Sequence, residues 1–331
     1  MTNEISGRVL VTGASGYIGA HVVLELLKKG IKTRAMMRDV SLKTMLPEDE
    51  NLEIVYGDLF DVKSLKMAVK DCEHVIHCAA NLLVGKLDPQ TDVIDTSVIG
   101  VENLCSVMGH VKNIIHTSSV AAIRPTDYEN GKTYSIDDWC DDASLEKNPY
   151  GFAKAEGERR IRKWAEGKDV RLITIHPSIV FGPILHPKHA EGSMLYLKHF
   201  VKGPPFVLDF NLNFVDVRDV ALAHVNALEK GDDRRRYMTH SENLWMKEIG
   251  QILKTKKGGR WATWKLPKPL AYIVAIFHPK LSIKQLRGSL GSKVDFDSGD
   301  TWETLEIQTH SAEDSIIDGV ESMQKIFQKG K

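Results

Sequence analysis

Apolar residues along this chain follow two alternating rhythms. The run VLVT at 9–12 is continuously aliphatic and stops at Gly13, as a strand buried on both faces would. In YIGAHVVLELLKKG, Ile18, Val22 and Leu26 recur at helical spacing until Gly30 ends the segment. The stretches IKTRAMMR, LEIVYGD, HVIHCAA, VKNIIHTSS and VRLITIHP read as five further strands, with helical segments around 61–70, 90–109 and 149–167 between them. Regular strand–helix alternation predicts an α/β chain: a doubly wound parallel sheet covered by helices on both faces. Ligands of such sheets bind beyond the carboxyl ends of the strands.

Beyond Pro177 the rhythm weakens. Pro183, Pro187, Pro204 and Pro205 interrupt a loop-rich stretch, and NFVDVRDVALAHVNALEK then reads as a strand followed by a helix, with Asp216 or Asp219 near the helix start. The expected division is a dinucleotide-binding domain at 1–180, to which 212–240 returns, and a smaller C-terminal substrate lobe made from 181–211 and 241–331. The apolar run from Leu270 to Phe277 is too short to cross a bilayer and predicts a buried helix, with a monotopic membrane contact as the alternative.

Composition narrows the classes. The 331 residues carry 44 basic and 44 acidic side chains, so no overall field attracts nucleic acid or an anionic membrane. Arg234, Arg235 and Arg236 follow Asp232 and Asp233 and read as solvated loop. Cys72, Cys78, Cys105 and Cys140 form no CxxC pair and, like the 13 histidines, show no metal-ligand spacing, which points to reduced, mostly buried thiols. With Glu4 and Arg8 in place of an apolar leader, the expected compartment is the cytoplasm.

Candidate chemistry begins at the first strand–helix turn. VTGASGYIGAHV places Gly13, Gly16 and Gly19 in a GxxGxxG pattern after a strand and into a helix, which is the context of a Rossmann-type dinucleotide site. Gly13 permits the tight turn, Gly16 lets a pyrophosphate approach the backbone, and Gly19 lets helix and strand pack closely. The amides around Tyr17 and Ile18 then face the phosphates at the positive helix end. RAMMRD puts Arg38 at the end of the second strand, where an acidic residue would select NAD and an arginine selects NADP(H). Arg38 can fork onto a 2′-phosphate and Lys43 can add a point charge. Asp39 is the acidic choice if the register differs by one.

NPYGFAKAEGERR places Tyr150 and Lys154 one helical turn apart on one face. Together with MMRD, GDL, HCAA, HTSSVAA, HPSIVFGP and FVDVRDVALAHV, in that order, this chain resembles the extended short-chain dehydrogenase/reductase family, in the NAD(P)-dependent epimerase/dehydratase superfamily. Within it, the nearest resemblance is to NADPH-dependent aldehyde, ketone and dihydroflavonol reductases. The resemblance implies catalytic roles for Ser119, Tyr150 and Lys154, with Ser118 the lesser choice beside Ser119. It implies that Asp58 and Leu59 border the adenine, and that Ala79 and Ala80 line the nicotinamide ribose. Pro177, Ile179 and Val180 would flank the nicotinamide, and Lys154 would also bond its ribose. Leu83, Ile123 and Phe181 would form apolar walls around a substrate held at Ser119 and Tyr150. Two departures stand out: Ser97 occupies the place of the family's usual asparagine, and Arg124 sits five residues after Ser119, where dihydroflavonol reductases carry asparagine.

A free tyrosine titrates near 10, too high for easy proton exchange at neutral pH. The expectation is that the Lys154 ammonium pulls the Tyr150 phenol down while Ser119 bonds the carbonyl oxygen. The leading function is then NADPH-dependent reduction of an aldehyde or ketone on a largely apolar small molecule, by a monomer or homodimer. A nucleotide-sugar epimerase or dehydratase, a hydroxysteroid-type dehydrogenase and a non-catalytic NADP-binding regulator are the alternatives. His77, His116 and His176 at strand ends are expected to satisfy backbone groups, and His186 and His189 lie in a loop that could touch substrate.

Overall fold

The computed structural model describes residues 5–80, 94–277, 286 and 288–329. In chain order the strands that matter here are β1 (Val9–Thr12), β2 (Thr33–Met37), β3 (Leu52–Tyr56), β4 (His74–His77), β5 (Asn113–Thr117), β6 (Arg171–Pro177), β7 (Ile179–Phe181), β8 (Asn211–Asp216), β9 (Arg236–Thr239) and β10 (Glu242–Trp245). The helices are α1 (Tyr17–Lys28), α2 (Val62–Val69), α3 (Asp95–Val107), α4 (Pro149–Ala165), α5 (Leu195–Lys202), α6 (Val217–Lys230) and α7 (Met246–Lys257). Seven parallel strands form the main sheet in the order β9-β6-β5-β4-β1-β2-β3. The strand order reverses between β1 and β4, and a crevice opens there beyond the carboxyl ends.

The continuous apolar strands are explained by two cores, one on each face. Along β1, Val9 and Val11 enter the core beneath α1 and α6, while Leu10 points to the core beneath α2, α3 and α4. Ile76, Ile115 and Ile173 join the first core, and Val75, Ile114 and Leu172 join the second. Alternate side chains therefore face opposite ways, and both ways are apolar. All six strands expected from the sequence form, and so do the three helical segments.

A third core lies outside the main sheet. It combines Phe181, Met194, Leu197 and Phe214 with Ile249 and Leu253 of α7 and with Ile316, Val320 and Met323 of the helix Ala312–Lys329. Strands β10, β8 and β7 form a small sheet along this boundary. Asp216 is the residue that caps α6, accepting from the Arg218 amide at 2.8 Å; Asp219 instead holds His310. Arg236, read as loop from its charge, is the first residue of β9, and its guanidinium is buried against Glu158. The helix Lys268–Phe277 forms as expected, but it is not buried: Ala271 faces the core while Leu270 and Ile273 are exposed. Among the described residues, no helix is long and apolar enough to cross a membrane.

Candidate active site

The glycine turn is built by contact. Gly13 sits at φ +67°, and a Cβ there would stand 2.7 Å from the Ala79 Cα. A Cβ on Gly19 would stand 2.3 Å from the Gly13 carbonyl oxygen, so only glycine lets the first turn of α1 close onto the loop. Gly13 and Gly16 border a cleft of about 580 Å³, together with Ser15, Tyr17, Arg38, Asp39, Asp58, Leu59, Ala79, Ala80, Thr96, Lys188, His189 and Glu191. Ile18 and Gly19 lie behind it in α1.

At the end of β2, Arg38 is exposed to this cleft. Asp39 is engaged elsewhere: its carboxylate accepts from the Ser41 amide at 3.0 Å and from the Ser41 hydroxyl at 2.6 Å, capping the turn Val40–Met45. Lys43 is exposed on that turn and does not line the cleft, whereas Lys188 does.

Four elements bring the reactive side chains together. Asn148 caps α4, accepting from the Gly151 amide at 3.0 Å, and Pro149 starts the first turn. This sets Tyr150 and Lys154 on the face of α4 toward β5. Ser119 follows β5 and caps the turn Val120–Ala122, accepting from the Ala121 amide at 3.1 Å. Its hydroxyl lies 3.5 Å from the Pro177 carbonyl at the end of β6. Ser118 points the other way and donates to Glu158 Oε2 at 2.8 Å, which leaves Ser119 as the hydroxyl facing Tyr150.

The electrostatics differ from expectation at the phenol. Burial pushes the Tyr150 pKa above its ordinary value, and a hydrogen bond with Ser119 partly offsets this. The Lys154 ammonium is directed instead to the Thr117 carbonyl, to which it donates at 3.1 Å, and its own pKa falls to about 8 through burial. In this chain the nearby cation therefore does not lower the phenol; Ser119 does.

Behind Lys154 lies a buried polar network. Glu158 Oε1 accepts from Arg162 at 2.9 Å and from Arg236 at 3.0 Å, and Oε2 pairs with His176 Nε2 at 2.7 Å. Burial alone would raise this carboxylate, but His176, Arg236 and Arg162 hold it well below the usual range. His77 and His176 bond side chains and not the expected backbone groups, and the buried His116 Nδ1 has no hydrogen-bond partner among the described residues. His77 Nδ1 is 2.7 Å from the Thr12 hydroxyl, and its ring stacks on His116 at 5.3 Å.

Other expected site residues divide sharply. Pro177, Ile179 and Val180 follow one another beside Ser119, with Val180 packed against Val215 and Val220. Ile123 and Phe181 are fully buried: Ile123 packs with Tyr134 and Met238, and Phe181 stacks on Phe214 at 5.2 Å. Neither lines the cleft in this structure, because packing within the core sets the direction of both side chains. Leu83 lies outside the described residues. Ser97, on α3, backs onto Gly157 of α4. Sequence reasoning missed Ser15, Thr96 and Lys188 as cleft residues, while His189, read as a loop residue that could touch substrate, lines the dinucleotide cleft.

Comparison with known proteins follows this geometry. Residues 9–238 match the model of the NAD dependent epimerase/dehydratase family. Cinnamoyl-CoA reductase 1 of Petunia hybrida is 29% identical over 264 residues, covering 76% of this chain and 78% of that protein. The bifunctional dihydroflavonol 4-reductase/flavanone 4-reductase of Malus domestica is 26% identical over 267 residues, covering 76% of each chain. Among solved structures, the yeast methylglyoxal/isovaleraldehyde reductase Gre2 complexed with NADPH superposes with a TM-score of 0.81 at 20% identity, covering 97% of this chain and 99% of that one. The UDP-glucose 4-epimerase of Thermotoga maritima gives 0.77 at 21% identity, with the same coverage.

Proposed function

The chain belongs to the NAD dependent epimerase/dehydratase family, and from that premise we propose that it is an NADPH-dependent reductase converting an aldehyde or ketone of a small molecule to the alcohol. The observation that carries the reading is the meeting of Ser119, Tyr150 and Lys154 beside the carboxyl ends of β5 and β6, together with a cleft that Arg38 lines at the end of β2, where Asp39 is bound to Ser41. The cleft suits a dinucleotide because glycine at 13 and 19 opens the backbone where a Cβ would collide. Gly13, Gly16 and the amides of Tyr17 and Ile18 would hold the pyrophosphate, Arg38 a 2′-phosphate, Asp58 and Leu59 the adenine, and Ala79, Ala80 and Lys154 the nicotinamide ribose.

The nicotinamide supplies a hydride when bound. Ser119 then donates a hydrogen bond to the substrate carbonyl oxygen, stabilising charge as it develops there. Tyr150 gives its proton to that oxygen, completing the alcohol. Lys154, fixed by Thr117, keeps positive charge beside the site. With Ile123 and Phe181 committed to the core, no described side chain argues for an apolar substrate, and the proposal extends only to the carbonyl group.

A second reading, a nucleotide-sugar epimerase, draws on the same family and on the fold shared with the Thermotoga enzyme. Such an enzyme regenerates its cofactor each cycle. Mixing the purified protein with NADPH or NADH and a panel of aldehydes and ketones, while following absorbance of the reduced nicotinamide, separates the two. NADPH consumption dependent on a carbonyl compound supports the reductase. Tightly retained NAD with no net consumption would overturn it in favour of the epimerase.

A further inference from the structure

One buried carboxylate oxygen reaches residues at the carboxyl ends of two strands at once. Glu158 Oε2 accepts from the Ser118 hydroxyl at 2.8 Å and pairs with His176 Nε2 at 2.7 Å. Ser118 immediately precedes Ser119, and His176 immediately precedes Pro177, whose carbonyl lies 3.5 Å from the Ser119 hydroxyl. Glu158 itself stands on α4, one turn beyond Lys154 and two beyond Tyr150. The helix that carries the phenol is thereby tied to both strand ends that surround the catalytic hydroxyl.

The charge of Glu158 does not need His176. Its other oxygen, Oε1, accepts from Arg162 at 2.9 Å, from Arg236 at 3.0 Å and from the Thr174 hydroxyl at 3.3 Å, so two guanidiniums already answer the carboxylate. Burial lowers the His176 pKa, which leaves a neutral ring that donates through Nε2. Its Nδ1 is buried and has no partner among the described residues, so the bond to Glu158 is the one this side chain makes there. A fully buried polar ring that keeps a single bond supplies direction, not charge.

We propose that Glu158 and His176 are a positioning pair, holding α4 on β6 so that the Tyr150 phenol stays against Ser119. The roles of Tyr150 and Ser119 are those of the reductase reading above, on which the pair's effect on turnover rests. On β5 the matching tie is Lys154, which donates to the Thr117 carbonyl at 3.1 Å. Ser118 is a lesser tie, because its amide already donates to the Ile175 carbonyl at 2.8 Å and fixes it to β6. The amides and carbonyls of α4 are used within the helix, so side chains must hold it to the sheet.

The test is made on His176, since removing the Glu158 carboxylate would leave the buried Arg236 without its counter-charge. His176→Leu removes the bond, and His176→Gln keeps a donor near the place of Nε2. His176→Asn, whose amide stops short of Glu158, repeats the removal with a polar side chain, and urea midpoints show which variants are folded. His176→Leu and His176→Asn should lower kcat roughly 10–10²-fold with NADPH affinity little changed, and His176→Gln should recover most of it. A second readout needs no turnover: the carbon-13 resonance of the Tyr150 Cζ at neutral pH, assigned by its loss in Tyr150→Phe, reports the hydrogen bond of the phenol. His176→Leu should move that resonance in the same direction as Ser119→Ala, and no further when the two are combined. Parental kcat and an unmoved resonance in the folded variants would make the pair merely structural and overturn the proposal. Equal defects in His176→Leu and His176→Gln would overturn it too. A parent that consumes no NADPH with any carbonyl compound would remove the reductase reading, and the resonance then decides the positioning by itself.

Discussion

Ser118 and Glu158 are joined by a hydrogen bond of 2.8 Å, and this contact divides the labour of two adjacent serines. Ser118 belongs to the buried carboxylate network; Ser119 faces the phenol. The two hydroxyls should therefore fail in different ways. Ser119→Ala is expected to lower kcat by roughly 10²-fold with NADPH affinity little changed, as loss of an oxyanion donor does. Ser118→Ala should retain most of kcat and lose about 1–3 kcal/mol of stability, since Glu158 loses a buried donor. Steady-state kinetics and urea unfolding of both variants decide it, and reversed effects would reassign the catalytic serine.

Tyr150 carries the proton in the proposed reaction, and its phenol has no substitute on α4. Tyr150→Phe is expected to reduce turnover by roughly 10²–10⁴-fold while NADPH binding, read by fluorescence titration, stays within a small factor of the parent. Because the ring is kept, packing at the start of α4 should survive. Undiminished turnover would remove Tyr150 from the acid role.

Two glycines with the same positive φ make a controlled comparison. Gly13 and Gly30 lie at φ +67° and +68°, but a Cβ on Gly13 meets the Ala79 backbone and one on Gly30 meets nothing within 4 Å. Gly30→Ala should cost only the left-handed strain, about 1–2 kcal/mol. Gly13→Ala should cost more and also displace Ala79, weakening NADPH binding. Denaturant melts and cofactor titration check both; equal losses of stability and intact binding in Gly13→Ala would contradict the close approach.

Much of this fold was legible because the main-sheet strands are buried on both faces, so that runs such as Ile114–Ile115 and Leu172–Ile173 are continuously apolar. The glycine turn and the Tyr150–Lys154 spacing were legible for a similar reason: local geometry fixes them. Arg236 was not, because a buried strand residue whose charge is met by Glu158, 78 positions away, looks like loop in sequence. Lys188 was hidden because tertiary pinning to Ser15 and Ser322 decides where its loop runs. Ile123 and Phe181, expected as apolar walls around substrate, are buried in the core, because tertiary packing and not residue type decides which way an apolar side chain points. The direction of the Tyr150 shift was misread because spacing reveals the cation and conceals both the depth of burial and the Thr117 carbonyl that receives Lys154.

Lys154 is buried with its charge answered by one carbonyl, and its pKa falls to about 8 because burial disfavours the ammonium. In the unfolded chain a lysine titrates near 10.5. Below about pH 8 both states are protonated, and the folded state bears the full cost of the buried charge. Between about pH 8 and 10.5 the unfolded state binds more protons, so the Lys154 contribution to stability rises with pH and the cost disappears. Lys154→Met should therefore stabilise the fold at pH 7 by roughly 1–3 kcal/mol, the desolvation cost of about 1.4 kcal/mol per pKa unit less the lost bond to Thr117. The gain should shrink toward zero by pH 10, while turnover falls at every pH. Urea midpoints of parent and variant at pH 7 and pH 10 measure this. A variant less stable than the parent at pH 7, or a difference independent of pH, would show that the ammonium is not held at a cost, and that the site does not trade stability for a charge beside the phenol.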